Sequence, residues 1–201
     1  RKMLKDFIKY VSLNVFSTVG VSVYVLCDTY FIANGIGTNA LSGLNLVLPF
    51  FAMICAIGFM LGMGTATRYS ILCGQERFNE ARAVIFQGSV TAVIIGIIIS
   101  ILGCIYAKPI AILMGADNTL INYATDYISV IFAFAWALIG NQLFMSITRA
   151  VGFPKIAMIA SLLSSFSNLC LDIVFIYYFK WGNWGAALAS GLAPCFAIII
   201  Q

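Results

Sequence analysis

The sequence predicts an all-α protein, a bundle of six transmembrane helices, and three observations lead there. Of 201 residues, 62% are hydrophobic and 9% charged, with a mean hydropathy of +1.03. Soluble domains carry about 25% charged residues. The apolar residues gather into six stretches, each near the ~20 residues that span a ~30 Å hydrocarbon core. Finally, Lys and Arg segregate to alternate connections between those stretches, as they do when one side of a membrane protein faces the cytoplasm.

The six spans fall near 7–33, 40–67, 81–106, 119–147, 156–179 and 185–201, between breaks of Gly, Pro and charge. The first follows "RKMLKDFIKY". It is too long for the apolar core of a signal peptide and lacks a small-residue cleavage site, so it reads as a retained helix. The second carries Pro49 and the glycine-rich "AIGFMLGMGTATR", small residues that let membrane helices approach closely. "RYSILCGQERFNEAR", residues 68–82, reads as the main connection to the third span. The fourth holds Asp126 near its start and Asn141 and Gln142 in its second half. The fifth contains "NLCLDIVF", and the sixth carries Ser190 and Pro194 in "WGNWGAALASGLAP". Each proline reads equally as a hinge or as a static kink. Trp181 and Trp184, between spans five and six, read as an interfacial aromatic belt.

Arg1, Lys2, Lys5, Lys9, Arg68, Arg77, Arg82, Arg149 and Lys155 fall on one side, nine of the eleven basic residues; Lys108 and Lys180 fall on the other. The N-terminus is therefore expected in the cytoplasm. Glu76 and Glu80 interleave with the arginines of the 68–82 stretch, which argues for a topology anchor and against a nucleic-acid or lipid-head-group site. The chain has no initiator Met and its apolar run "PCFAIIIQ" continues to the last residue, so both ends read as cut. Six cysteines without a C-x-x-C suggest neither a disulfide framework nor a zinc site, with Cys73 placed in a loop and the other five inside spans.

Charged side chains in mid-membrane cost about 2.5–3.5 kcal/mol on insertion scales, so a buried one is a functional candidate by default. Asp28 in span one and Asp172 in span five stand out, since neither span carries a Lys or Arg near its acid. At ~1.5 Å per residue both lie roughly 8 to 10 Å below the same surface, and Ser190 comes to about the same depth. Tyr24 and Asn168 each precede an acid by four residues, a spacing that puts a hydrogen-bonding partner on the same helix face. A carboxylate buried without a counter-charge needs a proton or a metal cation to neutralise it. Asp126 reads as interfacial. Asn14, Asn45, Asn141 and Ser190 read either as interhelical hydrogen-bonding groups or as the lining of a water-filled route.

Four strings, taken in order, resemble the N-terminal half of the multidrug and toxic compound extrusion (MATE) family: "VLCDTYFIANGIGTNALSGLNLVLPFF", "GFMLGMGTATRYSILCGQERFNEA", "ITRAVGFPKIAM" and "NLCLDIVFIYYFKWGNWGAALAS". The resemblance implies one six-helix lobe, residues 1–201, of a twelve-helix transporter, with helices 7 to 12 absent from this chain. It implies export of cationic, amphipathic drugs in exchange for H+ or Na+, with no other cofactor. The family's polar pocket maps onto Asp28, Asn168 and Asp172, which would hold Na+ where sodium couples; its sixth-span hydroxyl maps onto Ser190 and its first-span tyrosine onto Tyr24. The fourth-span amide maps onto Gln142 or, with a one-residue slip, Asn141. Members often carry a proline in the inner half of the first helix, where this chain has Asn14 in "VSLNVFSTVG".

Expected partners are thus cationic drugs, the lipid bilayer and the C-terminal lobe, with no nucleic acid. Two alternatives stand beside this reading: a flippase for lipid-linked oligosaccharides, which would want basic residues for phosphate, and a membrane scaffold without transport. An enzyme is not expected, because the chain has no His and no Ser or Cys beside a recognisable base.

Overall fold

The computed structural model describes residues 2–201, with side chains except at positions 2–7, 9, 10, 13, 14 and 17. Arg1 and the side chains of Lys2, Lys5, Lys9 and Asn14, on which part of the topology and first-helix expectations rest, lie outside the described residues.

The chain is helical throughout: α1 (Lys2–Gly35), α2 (Thr38–Gly74), α3 (Phe78–Ile105), α4 (Ala107–Leu113), α5 (Ile121–Ala133), α6 (Ala135–Ala150), α7 (Pro154–Asp172), a π-helical turn (Ile173–Tyr178) and α8 (Gly182–Ile200). Among the described residues there is no strand. Among the described residues, four helical segments are long and apolar enough to cross a membrane, Thr38–Gly74, Phe78–Ile105, Pro154–Tyr178 and Gly182–Ile200, and the bent pair α5 and α6 makes a fifth. The protein is a multi-pass membrane protein.

The fourth predicted span, 119–147, is not one helix. It breaks at Phe134 (φ −97°, ψ 11°), and α5 and α6 meet at 51°. No proline or glycine sits at the break; the neighbouring helices make room for it. A Cβ at Gly191 of α8 would stand 2.5 Å from the Phe134 ring, and one at Gly96 of α3 would stand 2.5 Å from Trp136 Cα. Glycines on two partner helices therefore make room for the side chains and backbone that flank the bend.

The 68–82 stretch is also corrected. α2 continues to Gly74 and α3 begins at Phe78, so the connection is only residues 75–77, with Glu76 in the left-handed region at φ 59°. Cys73 belongs to α2 and not to a loop, because the charged residues there ride on helix ends that extend past the apolar core. All six cysteines are free. Pro49 and Pro194 lie inside α2 and α8, which remain single helices through them.

α2 lies along α6, α3 against α6 and α2, and α7 between α1 and α8. Close contact of α2 with α6 depends on Gly58 and Gly62, where a Cβ would stand 2.8 Å from the Ile139 backbone and 2.8 Å from Ser146 Oγ, respectively. The apolar core runs through these contacts, from Val47 and Ile54 on α2 to Ile128, Ile131, Ile139 and Leu143 on α5 and α6.

Candidate polar site between α1, α5, α7 and α8

α7 turns Ser161, Ser165, Asn168 and Asp172 to one face at spacings of four, three and four residues, and all four are buried. That face looks into the bundle. Asp172 is 0% exposed and Asn168 2%, and Asp28 on α1, at 8%, is also turned inward. The carboxyl groups of Asp28 and Asp172 lie within hydrogen-bonding reach of each other. Among the described residues neither forms an ion pair; the single salt bridge found is Arg77–Glu80, at the far end of α2 and α3. Asp28 Oδ1 and Asp172 Oδ1 are buried and, among the described residues, accept no hydrogen bond. Two carboxyl groups at such a distance with no basic neighbour are compatible only if a proton or another cation sits with them.

The Asn168 amide fixes one of them. Its Nδ2 donates to Asp172 Oδ2 at 2.9 Å, and its Oδ1 accepts from the Ser190 backbone N–H at 3.2 Å. Ser190 Oγ lies 3.3 Å from the same amide and 3.3 Å from the Tyr127 hydroxyl. A chain of polar groups thus crosses from α7 through α8 to α5. Tyr24 behaves otherwise. It stands in the field of both carboxyl groups, but it makes no hydrogen bond to Asp28, so the four-residue spacing supplies a neighbour and not the expected bond.

Two cavities flank this polar group; Asp28 lines the smaller, and Asp172 lines neither. One of about 130 Å³ is lined by Asp28, Thr29, Asn45, Tyr127 and Ser190, and one of about 240 Å³ by Asn141, Gln142, Ser161, Ser165 and Asn168; Tyr24, Phe51 and Ser190 line both. Among the described residues, neither has a Lys or Arg in its wall. Both fourth-span amides reach the larger cavity. Asn141 Oδ1 accepts from Gln201 Nε2 at 3.3 Å, while Gln142 lies against the Cys55 thiol. Asp126 points away, exposed on α5.

Sequence reasoning passed over Tyr127, which is 3% exposed. A lone tyrosine on an otherwise apolar helix face reads as packing, and the only hint was that a buried phenol requires a hydrogen-bond partner. Ser161 and Ser165 were missed for a similar reason: their register with Asn168 and Asp172 becomes informative only once that face is known to be internal. Ser165 Oγ is bonded to the Ser161 carbonyl at 3.1 Å.

Fold and site together define a helical membrane protein that holds a polar, acid-bearing chamber inside its bundle. The chain belongs to the MatE family, whose model matches residues 14–174. It is similar to the multidrug export protein MepA of Staphylococcus aureus strain MRSA252, 28% identical over 171 residues, which cover 85% of this chain and 38% of the relative. MepA of Staphylococcus haemolyticus is 28% identical over 175 residues, 87% of this chain and 39% of that protein. The chain therefore spans about two fifths of the length of these curated relatives. Among solved structures it resembles a multidrug resistance MATE family transporter of the MOP superfamily in its outward-facing conformation (TM-score 0.87, 28% identity, 95% of this chain and 43% of that one). An inward-facing MATE family structure is also similar (TM-score 0.83, 28% identity, 89% and 40% coverage). So is a MOP superfamily transporter from Pyrococcus furiosus, described as having a binding pocket of reverse polarity (TM-score 0.86, 28% identity, 95% and 43% coverage).

Proposed function

We propose that this chain is the N-terminal lobe of a multidrug efflux transporter that exchanges cationic, amphipathic compounds for H+ or Na+, with the N-terminus of α1 in the cytoplasm. The observation that carries the reading is the acid pair: Asp28 and Asp172 lie within hydrogen-bonding reach of each other, buried, with no basic residue among the described residues in the walls of the neighbouring cavities. Such a pair requires a cation. Oxygen atoms of Asp28, Asp172, Asn168 and Ser190 are the ligand type that hard cations take, and either carboxyl group can equally hold a proton.

Coupling follows from competition. A ligand shifts a two-state equilibrium only by its difference in affinity for the two states, and the effect is reciprocal. Binding of H+ or Na+ at the acids when the site is open to the outside rearranges the Asn168–Ser190–Tyr127 chain and weakens the hold on a cationic drug in the same chamber. Return of the cation to the cytoplasm restores drug affinity. Walls without Lys or Arg suit a cationic guest and offer nothing to the phosphates of a lipid-linked oligosaccharide, which favours drug export over the flippase reading.

The test is drug efflux from cells expressing the full-length protein with Asp28→Asn, Asp172→Asn or both, under imposed proton and sodium gradients. The reading expects both single variants to lose gradient-driven efflux. Unchanged efflux in the double variant would remove the coupling role.

A further inference from the structure

A further cavity lies away from the acids. It is a groove of about 640 Å³ between the end of α2 and the start of α3. Three polar side chains in its wall, Thr65, Arg68 and Gln87, make no side-chain hydrogen bond or ion pair among the described residues. Glu80 also reaches the groove, but Arg77 holds its two carboxylate oxygens at 2.7 and 2.6 Å. Arg68 is left as the wall's unpaired charge among the described residues, so the interleaved acids that argued against a head-group site in this stretch do not neutralise it. Deeper along α2 the wall turns apolar, with Met60 64% exposed and Leu61 beside it.

Depth gives the arrangement meaning. α2 has 37 residues, or roughly 55 Å at 1.5 Å per residue, well beyond a hydrocarbon core of ~30 Å. Arg68 lies six residues before the end of α2 at Gly74, roughly 9 Å in, at head-group level. Gln87 lies nine residues past the start of α3 at Phe78, roughly 13 Å in. Reading inward, the groove therefore offers a cation, then an amide and a hydroxyl, then apolar surface. Unsatisfied polar groups are costly at that depth, and basic pockets between transmembrane helices take anionic lipid head groups.

We propose that this groove binds an anionic phospholipid of the surrounding membrane, its phosphate on Arg68, its glycerol ester region against Thr65 and Gln87, and an acyl chain along Met60 and Leu61. A free inorganic anion would use the charge and leave the graded wall idle. The proposal does not depend on the transport reading.

The experiment is native mass spectrometry of the full-length protein, purified in mild detergent and offered phosphatidylglycerol and phosphatidylcholine with identical acyl chains. Wild type should retain phosphatidylglycerol about five-fold over phosphatidylcholine, the equivalent of about 1 kcal/mol for one basic contact. Arg68→Gln should bring the two lipids to parity. Arg68→Lys, which keeps the charge, should keep most of the preference, and Arg149→Gln, at the same end of the bundle, should keep all of it. Equal retention by wild type, an intact preference in Arg68→Gln, loss in Arg149→Gln as large as in Arg68→Gln, or displacement of the lipid by millimolar inorganic phosphate would each overturn the proposal.

Discussion

Asp172 on α7 receives a hydrogen bond from Asn168 one turn earlier, at 2.9 Å, while its carboxyl group also comes within hydrogen-bonding reach of Asp28 on α1. One acid is therefore oriented by its own helix and faces a second acid from another. The amide decides which oxygens of Asp172 remain free for a cation.

Replacing Asn168 by Leu removes that donor and the link to the Ser190 backbone N–H. A hydrogen bond to a charged group contributes about 1.5–3 kcal/mol, so gradient-driven efflux by the full-length protein should fall about ten-fold or more. Surface expression should persist. Efflux at wild-type rates in Asn168→Leu would show that Asp172 needs no orienting partner.

Tyr127 and Ser190 lie 3.3 Å apart on α5 and α8. If their hydroxyls act as one unit, Tyr127→Phe and Ser190→Ala should be non-additive, with a coupling of about 0.5–3 kcal/mol in a double-mutant cycle of drug affinity. Additive effects would mean that the two residues act separately.

Gly58 and Gly64 are both in α2, yet a Cβ at Gly58 would stand 2.8 Å from the Ile139 backbone, whereas at Gly64 nothing lies within 4 Å. Gly58→Ala should thus destabilise by about 1–3 kcal/mol through forced separation of α2 and α6. Gly64→Ala should be neutral or slightly stabilising, since Ala favours helix over Gly. Thermal unfolding of the full-length protein in detergent, followed by circular dichroism, ranks the two variants. Equal midpoints would contradict the packing described for α2 and α6.

Asp126 is the third acid of the apolar region, but it is exposed on α5 and lines neither cavity beside the acid pair. Asp126→Asn should leave efflux and its dependence on the imposed gradient unchanged. A loss matching that of Asp28→Asn would move the coupling site towards α5.

Much of this was legible in the residues. Apolar length and the position of Lys and Arg mark the spans, because a hydrocarbon core admits little else. Asp28 and Asp172 are conspicuous since charge in such runs is expensive. What escaped has causes that lie outside the local string. The bend at Phe134 is accommodated by glycines on α3 and α8, and nothing in "IFAFAWAL" announces it. The π-helical turn in "IVFIYY" is a hydrogen-bond register, shown by Phe179 N–H bonding to the Val174 carbonyl at 2.9 Å, and it leaves no mark in residue type. Residues 68–82 look like a loop because charged helix ends and loops share a composition. Tyr127 becomes a site residue only when α8 brings Ser190 to it.

The most direct test of the acid pair as a shared cation site is release of that cation on drug binding. Full-length protein in detergent is titrated with a cationic drug while a pH-sensitive dye reports protons and a sodium-selective electrode reports Na+. Drug binding should expel one of the two ions from wild type and neither from the Asp28→Asn, Asp172→Asn double variant. Release of the same amount from that double variant, with drug still bound, would contradict the account.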